Sequence, residues 1–258
     1  MIQAVPSKIP LIDIPRSLAN DIVLAVYTAG ERMKAKAAQN RYVTNNGEPG
    51  EFWDAMNTEI CKVLSSPDCM SSIKKRGFWK LLIAYYKQNG LLFTFMREKR
   101  FSDVQAEIRK HGKMTYINML IQHLNKDLLA SVSQTALFDM HSYDEIELAE
   151  RVKTLIGDFQ DEGHTVGHYM LILFDCDPLY EFRRVKAVIV DPNLDIVEES
   201  DWSQYIPVKE TVIVEKVSDL TSPSNNPSRG LTLKPKALDR KLQQKDQPPE
   251  KDKDPDKE

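Results

Sequence analysis

Two short cationic clusters flank a pair of apolar runs, and their residue types suit the binding of phosphate groups. Arg76 and Lys80 belong to Lys74-Lys-Arg-Gly-Phe-Trp-Lys80, while Arg97, Lys99 and Arg100 belong to Arg97-Glu-Lys-Arg-Phe101. Guanidinium and ammonium groups at this density can clamp a phosphate backbone, and Phe78 or Phe101 is available to stack on a base. Glu98 is the only acid inside the second cluster and offers support to its cations. The plain structural alternative puts Arg97 and Glu98 into ion pairs and the aromatic rings into a core.

What would bring the clusters together is the segment between them. Trp79–Tyr86 and Leu91–Arg97 are rich in aliphatic and aromatic residues, and Lys87-Gln-Asn-Gly90 supplies turn residues that tolerate positive φ. The pattern predicts a β-hairpin. Period-two alternation places Trp79, Leu81, Ile83 and Tyr85 on one face, with Phe93, Phe95 and Arg97 alternating along the partner strand. Because the strands are antiparallel, both cationic clusters fall at the same end of the ribbon.

The formal net charge of −3 conceals a strong asymmetry. Between Lys74 and Lys113 there are eleven Lys or Arg against Glu98, Asp103 and Glu107, so this block carries +8 and the rest of the chain −11. Such a block can focus a field on an anionic partner.

Other chemistries find less support. His164-Thr-Val-Gly-His168 has histidines four apart, but it lies between glycines ahead of a strand and reads as a loop, even with Glu162 and Asp175 nearby; no metal is expected. Glu48, Glu51, Asp54 and Glu59 approach a helix whose N-terminal dipole accounts for them. A nuclease of the restriction-endonuclease type needs acids and a lysine on adjoining strands, and no strand shows that pattern. No P-loop, dinucleotide fingerprint, Gly-x-Ser-x-Gly or His-Glu-x-x-His motif occurs, and no cofactor is expected. Cys61, Cys69 and Cys176 fit neither a redox pair nor a disulfide framework and read as reduced thiols of a cytoplasmic protein.

Around the hairpin, the periodicity predicts helices over Leu18 to Ala37 and Phe52 to Leu64, the first with Gly30 as a weak point. A capping box at Ser102-Asp-Val-Gln105 is expected to open a helix, Thr115 to cap the next, and Ser142-Tyr-Asp-Glu145 to start a third that stops at Gly157. Strands are expected at Tyr169–Phe174, Val185–Val190, Asp195–Glu198 and Thr211–Glu215, with a hairpin turn at Asp191-Pro-Asn-Leu194. The fold class is α+β: N-terminal helices, then a mainly antiparallel sheet of about five or six strands with helices inserted after the first hairpin. Residues 1–217 read as one domain and 218–258 as a disordered charged tail too poor in apolar surface to fold. No apolar run is long enough to span a membrane.

Arg76-Gly-Phe-Trp-Lys80, Leu92-Phe-Thr-Phe-Met-Arg-Glu98 with Phe101, and then Tyr116 and Leu124-Asn125, resemble the core of a family of uncharacterised bacterial and prophage-type proteins. The resemblance is clearest from Trp53 to Asn125, and the helix from Tyr116 lacks the histidine that would precede it in that family. It implies a bacterial origin, no established activity, and a polar core of Arg76, Lys80, Arg97 and Glu98, the positions where the residues themselves place a cationic clamp.

The expectation is a non-enzymatic intracellular interaction protein, such as a regulator, antitoxin or phage-defence component, that holds a protein partner. The alternative is a nucleic-acid-binding protein or phosphodiester-processing enzyme that uses the block from residue 74 to residue 113. Neither reading involves a membrane.

Overall fold

The computed structural model describes residues 10–39, 44, 46–77, 79–112, 114–129 and 144–208. Phe78, the expected strand Thr211–Glu215 and the expected tail 218–258 lie outside the described residues, as does Ser142.

Two helices come first. In α1 (Arg16–Gln39), Ala19, Ile22, Val23, Val26, Ala29 and Met33 are buried at three- and four-residue steps. Gly30 is a point of close approach in this helix: a Cβ there would stand 2.5 Å from the ring of Phe182. In α2 (Glu48–Val63), Pro49 occupies the first turn and Phe52, Met56 and Ile60 face inward.

The chain then enters a six-stranded sheet in sequential order, made of β1 (Cys69–Arg76), β2 (Trp79–Tyr86), β3 (Leu91–Arg97), β4 (Tyr169–Cys176), β5 (Phe182–Val190) and β6 (Ile196–Asp201). All neighbours are antiparallel except β3 and β4, which run parallel from Leu92↔Tyr169 to Arg97↔Phe174. A parallel pair needs a crossover. Here it holds α3 (Glu98–His111), α4 (Tyr116–Leu124) and α5 (Glu145–Asp161). This is the expected α+β arrangement, with helices inserted after the first hairpin.

Two apolar cores form because both sheet faces are covered. Phe93, Phe95, Met170, Ile172 and Ala187 pack with α1 and α2, whereas Leu92, Met96, Tyr169, Leu171 and Val188 pack with α3, α4 and α5. Asn125, fully buried just after α4, clips the second layer to the sheet. Its amide donates to the carbonyls of Tyr169 and Val190 and its carbonyl accepts from the Tyr169 N–H, each at 2.8 Å.

Several local expectations change. β1 has no counterpart in the sequence reading. Helix α3 begins directly at Glu98, so Ser102 lies inside it, where its hydroxyl donates back to the Glu98 carbonyl at 3.3 Å instead of capping. Gly157 lies within α5, which runs on to Asp161 and is capped at its start by Asp144. Thr115 caps α4 as expected, accepting from the Asn118 N–H.

Candidate nucleic-acid interface

The β2–β3 hairpin forms, but its strands part. They pair only from Ala84↔Phe93 to Tyr86↔Leu91, whereas β1 and β2 pair over all eight residues of each strand. Beyond Ala84 the sheet therefore forks, with the β1–β2 ribbon on one side and β3 with its parallel neighbour β4 on the other. The two strands of the ribbon join through Gly77 and Phe78. Gly77 has φ 60°, in the left-handed region that a two-residue hairpin turn demands and that glycine reaches without strain.

The stem of the ribbon is core. Leu82, Ile83, Ala84, Tyr85 and Tyr86 are all buried. Its tip is the reverse: Ile73, Lys75, Arg76, Trp79 and Lys80 are exposed, with Ile73 at 57% and Trp79 at 56%. From Cys69 to Tyr86 the ribbon carries Lys74, Lys75, Arg76 and Lys80 and no acid.

Cross-strand register divides these side chains between two faces. Arg76 lies opposite Trp79 and Lys74 opposite Leu81, on the face turned toward α4 and α5. Lys75 lies opposite Lys80 and Ile73 opposite Leu82, on the other face. Two contacts hold the first face. Lys74 bonds Asp158 of α5 at 2.6 Å, and the Arg76 guanidinium sits 4.2 Å from the ring centroid of Tyr116, the first residue of α4.

Tyr116 leads inward to a line of hydroxyls. Thr94 and Tyr169, both fully buried, share a hydrogen bond of 2.6 Å. Burial raises the pKa of Tyr116, while hydrogen bonding to Thr94 and the charges of Arg76 and Arg100 oppose that rise. Burial likewise drives Tyr169 well above the ordinary tyrosine range. These phenols stay neutral and serve as a polar anchor beneath Arg76.

Of the residues singled out in the sequence, Arg76 sits over the Tyr116 ring, and Arg100, paired with Glu107, adds a weaker charge effect on the same phenol. Lys80 lies on the opposite ribbon face. Lys99 is exposed in the first turn of α3. Arg97 belongs to the other side of the sheet, where its guanidinium stands 5.5 Å from the Phe52 ring centroid. Glu98 bonds Lys186 at 3.0 Å and Arg184 at 3.3 Å. Phe101 is 3% exposed and packs in the core beneath α3. Trp79 and Lys75 take the surface positions instead, while Lys74 is half-buried against Asp158. The signal for Lys75 is the run of cations beside one isoleucine in Ser72-Ile-Lys-Lys-Arg76, the pattern of a strand without a continuous buried face.

Not all of the basic block is open. Lys74, Arg100 and Arg109 pair with Asp158, Glu107 and Asp195, respectively. Among the described residues no carboxylate lies within ion-pair distance of Lys75, Arg76, Lys80 or Lys99. Elsewhere, His168 contacts Asp127 at 3.1 Å, and no group of three or more His, Cys, Asp or Glu among the described residues is placed to hold a metal ion. No described helix is long and apolar enough to cross a membrane.

The profile of a family of unknown function, DUF5986, matches residues 11–251, and the chain belongs to that family. No curated protein and no solved structure matches it.

Proposed function

Starting from membership in a family without an assigned activity, we propose that the protein binds nucleic acid through the tip of its β1–β2 ribbon and acts as a binding module, not as a catalyst. The observation that carries this reading is the tip itself: three exposed cations, Lys75, Arg76 and Lys80, beside a half-exposed Trp79, on a ribbon without an acidic residue. Lys99, exposed in the first turn of α3, supplies a further cation, unpaired among the described residues, beyond the fork. Phosphate contacts release condensed counterions, so affinity should fall steeply with salt. With three to five phosphates engaged on a single strand, log K against log salt would have a slope of roughly −2 to −3.5.

The test is fluorescence anisotropy of labelled oligonucleotides over a salt series, with wild type and Lys75→Glu/Lys80→Glu compared. The variant should bind far more weakly and with a shallower slope. Identical curves for the two proteins would contradict the reading.

A second reading is a protein partner that adds a strand to the sheet. It is favoured by β1 being the outermost strand, with Ile73 exposed along it. An Ile73→Asp variant that kept every partner co-purifying with wild type would count against it.

A further inference from the structure

The two faces of the ribbon tip differ in chemistry, and the difference bears on which form of nucleic acid they suit. One face carries Lys75 and Lys80, compact charges that contact a phosphate backbone of any form. On the other, Trp79 lies directly across from Arg76, and Arg76 is held over Tyr116. A tryptophan that stays 56% exposed at the tip of a ribbon is costly to leave in water, and beside the Arg76 guanidinium it has a ready function. A base can stack on it while Arg76 takes the neighbouring phosphate. In a duplex, base faces are already stacked on one another. In a single strand they are open.

We infer that the Arg76–Trp79 face of the ribbon is a stacking platform that makes the protein select single-stranded over double-stranded nucleic acid. The inference rests on the nucleic-acid reading above and specifies its substrate class. Arg76 is the fixed element. Its guanidinium carbon stands 4.2 Å from the ring centroid of Tyr116, whose hydroxyl is tied to Thr94 and through it to Tyr169 in the core, so the phosphate-binding group is positioned before the strand arrives. Trp79 sits on the same face of the ribbon by register, and its place two residues after Gly77 keeps it at the turn.

The experiment measures binding of the full chain to a polythymidine strand, a polyuridine strand of equal length and a blunt DNA duplex of the same length, all at one salt concentration. Wild type should prefer both single strands to the duplex. Trp79→Ala should weaken single-strand binding by about tenfold while leaving duplex binding unchanged, and Trp79→Phe should keep most of the single-strand affinity. Circular dichroism of each variant confirms that the exposed position has not disturbed the fold. Duplex binding as tight as single-strand binding, or an equal loss on both in Trp79→Ala, would overturn the single-strand inference while leaving a basic nucleic-acid-binding ribbon in place. Absence of binding to all three oligonucleotides would overturn both.

Discussion

Arg76 and Arg97 make the same contact in two regions of the molecule, and the surroundings give it opposite meanings. Each guanidinium lies over an aromatic ring, Arg76 over Tyr116 at 4.2 Å and Arg97 over Phe52 at 5.5 Å. Arg97 is half-buried at the junction of β3 and α3, where its ring partner belongs to α2 and its charge acts on Cys176 and Tyr180. There it joins a helix to a sheet. Arg76 is exposed at the ribbon tip, stacked on one side and open to solvent on the other. A cation on a ring is thus a fastener when enclosed and a presented ligand-binding group when only one side is covered.

The body around Arg97 should respond to substitution in stability, and the tip around Arg76 in binding. The largest expected effect is in the body. Asn125→Ala would leave three buried backbone groups of Tyr169 and Val190 without partners, at a cost of about 3 kcal/mol or more read by urea denaturation. Oligonucleotide affinity of the folded fraction should not change.

At the tip, Lys75→Glu/Lys80→Glu should lower affinity about a hundredfold, equivalent to roughly 2.7 kcal/mol, with an unchanged denaturation midpoint. A shifted midpoint would mean that the tip supports the fold and would break the division. Arg97→Ala should cost about 1 to 2 kcal/mol of stability, while Arg76→Ala should cost less than about 0.5 kcal/mol and weaken binding instead.

The smallest effect belongs to the strut between the two regions. Lys74, followed by the Ser72 hydroxyl, lowers the pKa of Asp158 below the ordinary aspartate value of 3.8. A carboxylate with a depressed folded-state pKa stabilises above its unfolded pKa, and that contribution disappears as pH falls through the folded value. With the Asp158 side chain 56% exposed, solvent screening holds the contribution below about 1 kcal/mol. Stability at neutral pH should therefore exceed that of Asp158→Asn by this small margin, and the gap should close below pH 3.8.

Elements with a buried face were readable in the sequence. The apolar runs of β2, β3 and β4 and the three- and four-residue steps of α1 stand out because one side or both must leave water. β1 escaped notice for the same reason in reverse. Its outer half, Ile73 to Arg76, packs lightly, so cations occupy positions that would otherwise alternate with apolar residues. Alternation places Trp79 on the face of Leu81, Ile83 and Tyr85, and the register agrees, but alternation does not reveal where along a strand the core ends. The candidate clamp was legible as composition, not as geometry. Antiparallel pairing implies that Arg76 and Arg97 meet; the fork beyond Ala84 and the pleat separate them onto opposite sheet faces. What holds Arg76 is Tyr116, forty residues along the chain from it and brought there by the crossover of α3 and α4.

The most direct test of the ribbon as the contact surface is lysine acetylation footprinting of the full chain, with and without a single-stranded oligonucleotide, read by mass spectrometry. The account predicts protection of Lys75, Lys80 and Lys99, with Lys62 and Lys153 on the body reacting equally in both states. Uniform reactivity at Lys75 and Lys80, with protection arising elsewhere, would contradict it.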